Sequence, residues 1–264
     1  QALTITDALS STVKTLDASK ASGAITASVV AASTLVAKGS TAITDALGVT
    51  VDSSVTSGAA ITGFETVNLN TTVGTVSFSL AQITGATAIN IASDTATNAA
   101  IILTNASASQ GLNFVGSKST TANQTFDAVT QTLATDGTSN SIAVTINNGG
   151  TATTKTATTG AVGIGNYEVV TLTSGDFATS TLGGLTLSGT ATSLTVNAAT
   201  ELVVGGLNGA GTTLATINAG GSAGAVNMGV LTSTGVLTYT GSLGVDTLTT
   251  VAASTGLQTF NLGT

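Results

Sequence analysis

Short runs in which apolar and polar residues alternate recur along most of the chain. They fall at 67–70, 76–80, 88–92, 101–104 and 112–115, then at 169–173, 185–187, 194–196, 202–204, 214–217, 226–228, 237–239, 248–251 and 260–262. Starts roughly 8–12 residues apart suit an all-β sandwich, barrel or solenoid. The core triplets Leu185-Thr186-Leu187, Leu194-Thr195-Val196 and Leu237-Thr238-Tyr239 repeat with a period of two. That is the signature of a strand with one apolar face and one face of threonine. Gly, Asn, Ser and Asp fill the intervals and supply turns; proline is absent.

The pattern also copies itself. Thr15-Leu16-Asp17-Ala18-Ser19 followed by Gly23-Ala24-Ile25 matches Thr216-Ile217-Asn218-Ala219-Gly220 followed by Gly224-Ala225-Val226 at identical spacing, with a looser copy at 250–257. A second motif, Gly63-Phe64-Glu65-Thr66-Val67-Asn68-Leu69, returns at 167–172 and 256–262. Repeats of a strand plus a turn predict a stacked, quasi-one-dimensional body. The predicted class is all-β, an elongated parallel β-solenoid of short strands, with tandem β-sandwich domains as the alternative. One stretch breaks the rhythm. Residues 141–147, Asn148-Gly149-Gly150 and 151–158 read as an antiparallel hairpin with an Asn-Gly turn. This divides the chain into a β-repeat region at 1–134, a hairpin insertion or linker at 135–159, and a second β-repeat region at 160–264, or else one continuous solenoid.

Composition removes most chemistry from consideration. Cys, His, Trp, Pro and Arg are all missing, and only 6% of residues are charged. Without His there is no ordinary acid/base group of neutral pH, and without Cys no thiolate or disulfide. Serine and threonine are plentiful, but an activated hydroxyl needs an adjacent base. Glu65 and Glu168 hold matching places in the second motif, which marks them as architectural rather than as a catalytic pair; Gln258 stands in the third copy. The glycines between 205 and 224 lack the Lys-Ser/Thr ending of a phosphate loop. The chain therefore reads as structural and not as an enzyme. The five basic residues, Lys14, Lys20, Lys38, Lys118 and Lys155, and a net charge of −7 argue against nucleic acid. The longest weakly polar run, 24–37, is 14 residues, short of the ~20 that span a bilayer, so no membrane insertion is expected. Lack of cysteine fits a secreted or cell-surface protein. Starting at Gln1 with no signal peptide, the chain reads as a processed product or an excised piece of something longer.

At its repeats the chain resembles bacterial surface-layer proteins and related secreted calcium-binding proteins of the repeats-in-toxin type. The segment 63–69, the Leu16-Asp17-Ala18-Ser19 turn and Gly244-Val245-Asp246-Thr247-Leu248 carry the likeness. It implies an extracellular, bacterial cell-surface lattice subunit whose partner is itself, assembled with calcium, with a glycan partner reached through parts outside this chain. The chain departs from full calcium repeats: the glycines at 205–211 and 220–224 lack the accompanying Asp. Isolated calcium sites then fall on Asp246, in the most repeat-like turn, and on Asp17, Asp176 and Asp45 near other turns. Each would need turn carbonyls to complete six to eight oxygens, and each could equally form an Asx turn or cap a strand end. Rival readings are an adhesin stalk and a filament-forming, functional-amyloid-like protein.

Overall fold

The computed structural model describes residues 2–94, 99–209, 211, 213–250 and 256–262. The chain coils into a β-solenoid of about 11 turns. One face is a 12-stranded sheet, here the long sheet, made in order of Leu3–Thr4, Ile25–Val30, Ala46–Thr50, Thr66–Asn70, Ala88–Ala92, Gly111–Val115, Ser141–Asn147, Val169–Ser174, Ser193–Ala198, Thr216–Asn218, Leu237–Thr240 and Gln258–Asn261. The opposite side starts as a short four-stranded sheet, Thr15–Asp17, Val36–Lys38, Ala60–Thr62 and Ile83–Thr84. It continues as a 10-stranded second sheet from Thr75–Ser79 to Thr247–Thr250. Every strand pairing among the described residues is parallel, apart from one isolated antiparallel bridge between Asp94 and Thr125. Parallel neighbours need a long connection between them, and here one full coil supplies it.

Alternation decides what each coil buries. Successive coils align in register, so inward residues stack into columns. Ala27, Leu47, Val67, Ile89, Leu112, Val144, Leu172 and Val196 form one such column in the long sheet. Val76, Ile101, Val129, Val162, Leu185, Leu207 and Leu231 form its counterpart in the second sheet. All but Val76 are 1% exposed or less. Full burial of each Val, Leu or Ile among them stabilises by about 1.5–3 kcal/mol. Outward residues stack too. Asn113 donates its amide to Asn90 at 3.1 Å and Asn90 donates to Asn68 at 2.9 Å, an asparagine ladder along the face.

The expected hairpin is not formed. Ser141–Asn147 lies within the long sheet, parallel to Gly111–Val115 and Val169–Ser174, while Thr156–Gly165 belongs to the second sheet. Asn148-Gly149-Gly150 is therefore a corner between sheets. The Asn148 amide donates to the carbonyls of Ser119 and Thr151, each at 2.9 Å, tying that corner to the preceding coil. An Asn-Gly turn satisfies a corner as well as a hairpin, so the local signal could not tell them apart. The broken rhythm has another cause. Register partners usually lie 20–24 residues apart, but Leu112 opposes Val144 and Ser141 opposes Val169. The coils here simply have longer corners. Before residue 66 four strands are only two or three residues long, too short to show alternation, whereas Ile25–Val30 and Ala46–Thr50 do alternate and were missed.

Candidate cation sites at the acidic corners

Corners carry most of the acidic side chains, and the two repeated sequences prove to be one corner used twice. After Thr15–Asp17, the Asp17 Oδ1 accepts the Ser19 N–H at 3.0 Å, and the Ala18 N–H donates to the Lys38 carbonyl of the next coil at 2.8 Å. After Thr216–Asn218, the Asn218 Oδ1 accepts the Gly220 N–H at 2.9 Å, and the Ala219 N–H donates to the Thr240 carbonyl at 2.7 Å. The first copy leads from the short sheet to the long one; the second leads from the long sheet to the second sheet. Both edges of the coil thus accept the same turn.

The match continues into the following coil. Asp45 Oδ1 accepts the Ile25 N–H at 2.8 Å and the Ser40 hydroxyl at 3.0 Å, and its Oδ2 accepts the Ser40 N–H at 2.5 Å. Asp246 Oδ1 accepts the Val226 N–H at 2.8 Å and the Ser242 hydroxyl at 2.5 Å, and its Oδ2 accepts the Ser242 N–H at 2.6 Å. Each carboxylate sits at a strand start, satisfies the strand start one coil back, and closes its own corner on a serine. The preceding glycine makes room: a Cβ on Gly39 would stand 2.9 Å from Asp45 Oδ2 and overlap the Gly63 carbonyl, and one on Gly241 would stand 2.5 Å from Asp246 Oδ2. A third corner repeats the device with an amide, where Gln124 Oε1 accepts both the N–H and the hydroxyl of Ser117 at 3.0 Å.

Asp45 and Asp246 are accordingly surrounded by donors, the reverse of the oxygen shell that calcium requires. Tyr239 adds a hydroxyl to Asp246 Oδ2 at 3.1 Å, and burial together with that negative charge pushes the phenol well above its ordinary range. Asp17 accepts the Ser19 hydroxyl at 2.6 Å and pairs with Lys38 at 3.8 Å; the serine bonds, more than the lysine, hold its carboxyl below the usual value. Asp176 has a left-handed backbone, φ 70°, and accepts the Gly150 N–H at 3.1 Å. The four aspartates stand at separate corners, and among the described residues no three acidic side chains converge.

The glutamates of the second motif also share one role. Glu65 accepts the Asp45 N–H at 2.8 Å, and Glu168 accepts the Asn140 N–H at 2.5 Å. In return the Asp45 and Asn140 carbonyls take the N–H groups that open the next strands. Ser40, Ser117 and Ser242 were the functional corner residues that alternation could not single out. Their signal is a Gly-Ser pair four to seven residues before an Asp or Gln.

Two grooves among the described residues take in a single carboxylate each, Asp246 beside Thr247, Phe260 and Leu262 in one and Asp94 beside Ser117, Gln124 and Thr125 in the other. A groove on the second sheet is lined by residues such as Ala128, Thr130, Ala161, Gly163, Gly165 and Thr186, none of them ionisable. No helix among the described residues is long and apolar enough to cross a membrane. No protein-family profile, curated protein or solved structure matches the chain. What stands is the class of the fold, a two-faced parallel β-solenoid with carboxylate-capped corners.

Proposed function

We propose that this chain is a structural protein of the bacterial cell exterior, a subunit that assembles with its own copies into a surface layer. The observation that carries the reading is the long sheet. Its twelve strands contain no Asp, Glu or Lys, and the outward positions are mostly Thr, Ser, Asn, Ala and Gly, with a few Val. A flat face of this kind offers hydroxyls, amides and methyl groups at regular spacing and sets no charge against a like charge when copies pack together. The acidic residues are confined to corners and other segments outside that sheet, where calcium would bridge neighbouring copies through carboxylates such as Asp176 rather than fill an internal site. A glycan at the cell surface would be held by parts outside this chain, and no catalytic or nucleic-acid-binding role is assigned. An adhesin stalk would use the same rigid body; the surface-layer reading is preferred because both tyrosines, which could furnish a sugar platform, are buried at 1% exposure or less.

Electron microscopy of the purified chain with and without calcium tests this reading. Two-dimensional sheets that dissolve on chelation are expected. A monomer at high concentration in both conditions would sink the proposal, and a monomer that binds glycans would favour the adhesin.

A further inference from the structure

The long sheet and the second sheet differ in how evenly their coils stack. Every pairing in the long sheet keeps one register along its length. In the second sheet the register shifts between Leu103 and Ala106 and again between Asn227 and Val230, and the exposed Glu201 accepts the Thr179 hydroxyl at 3.0 Å. The long sheet is thus the even face, and its nearest charges stand at the margins, where Glu65, Asp52, Lys118 and Asp176 lie just outside its strands. A centre depleted of charge inside a polar rim is the anatomy of a protein–protein contact. At ~3.3 Å per residue and ~4.8 Å between strands, the strands of this face cover on the order of 900 Å². A standard interface needs ~800 Å² from each partner.

Outward residues form columns along this face, and the middle column is made of groups that donate and accept at once. Asn68, Asn90, Asn113, Thr145, Thr173 and Asn197 follow one another in register. The asparagine ladder employs one N–H and one lone pair of Asn90. A side-chain amide has two of each, so the same group can also bond to one that faces it. Small residues flank the column, with Ala88 and Gly111 on one side and Ala92 and Val115 on the other.

We propose that two copies pack long sheet against long sheet about a two-fold axis that runs along the middle column, parallel to the solenoid. The occupant of the face is a second copy of this chain, and the inference rests on the self-assembly reading above. Such an axis leaves both stacks pointing the same way and reverses the strands, so each coil meets its equivalent whatever the number of coils. The middle column then faces itself. An isologous contact sets a group on the axis opposite its own mate. Amides and hydroxyls tolerate this by donating one way and accepting the other, which a charge cannot do. The flanking columns exchange, so Val115 of one copy stands over Gly111 of the other, a large side chain over bare backbone. In-register parallel sheets with asparagine ladders pack face to face in the same manner in cross-β assemblies. The contact uses no carboxylate and forms without calcium, which then joins these dimers through the acidic corners.

Sedimentation of the 264-residue chain in a calcium chelator tests it. A dimer is expected. Thr145→Lys and Thr145→Glu should each raise the dimer dissociation constant on the order of 100-fold, because like charges opposed across an interface repel, with circular dichroism unchanged. An equimolar mixture of the two variants should restore the dimer, since each charge then meets its opposite on the axis. Thr186→Lys, on the exposed side of the second sheet, should leave the dimer as it was. A monomeric parent chain would overturn the proposal, as would a dimer lost in Thr186→Lys and kept in Thr145→Lys. A mixture that stays monomeric although both variants are folded would overturn it too. Calcium-dependent sheets that grow directly from a monomer would sink the face-to-face contact and leave the surface-layer reading standing. A chelator-resistant dimer that never forms sheets with calcium would do the opposite.

Discussion

Asp45 and Asp246 occupy the same kind of corner on opposite edges of the coil, and they differ in how deeply they are buried. Both accept two backbone N–H groups and a serine hydroxyl. Asp45 is completely buried, roofed by the next coil, whose Glu65 accepts its own N–H. Asp246 is half-buried. A cap of this kind is thus worth more the deeper it sits, because a buried donor that loses its acceptor has no water to turn to.

Removing the carboxylates breaks the comparison most severely. Asp45→Ala strands the Ile25 and Ser40 N–H groups in a dry site and should cost about 3 kcal/mol or more, whereas Asp246→Ala should cost about 1–2 kcal/mol, water replacing part of what is lost. Urea denaturation of both variants checks this, and equal losses would show that depth does not matter. Filling the corner comes next. Gly39→Ala drives a Cβ into the Gly63 carbonyl and should destabilise by about 1–3 kcal/mol through overpacking, read as a lower melting temperature.

The smallest effects are in pH dependence. Asp17 at its exposed corner has a carboxyl held below the ordinary value by Ser19, so its contribution is present above the unfolded pKa and fades as the pH falls through the folded one. Asp127 is the opposite case. Burial is the main cause that raises its carboxyl, eased by the Ala99 N–H and reinforced by Asp94. Stability from that group is full below the ordinary carboxylate value near 3.8 and is lost as the pH rises through the raised one. Melting curves between about pH 3 and 7 should therefore show Asp17→Asn losing its penalty toward acid and Asp127→Asn gaining stability toward neutrality. Parallel curves for both would contradict the assignments.

Much of this architecture was legible in the alternation. Nearly every run marked from 67 onward falls on a strand, because a period of two admits no other way to bury one face. The matched turns at Asp17 and Asn218 were also legible, since an Asx turn is a local event. The hairpin at 141–158 failed for the same reason in reverse: Asn148-Gly149-Gly150 specifies a reversal of direction, and only the partner strands show that the reversal joins two sheets. The loose repeat at 250–254 lies mostly outside the described residues. The four aspartates were marked as turn residues, yet their partners stand up to 26 residues away, a distance no local pattern reports.

By itself, then, the sequence determined the strand period, the all-β class, the scarcity of ionisable chemistry and the places of the turns. Each follows from backbone geometry and side-chain type within a few residues. Register, the division of strands among three sheets and the burial of Asp45 were decided by the tertiary structure alone. They arise only when one coil settles on the next and its open N–H and C=O groups find partners some twenty residues along the chain.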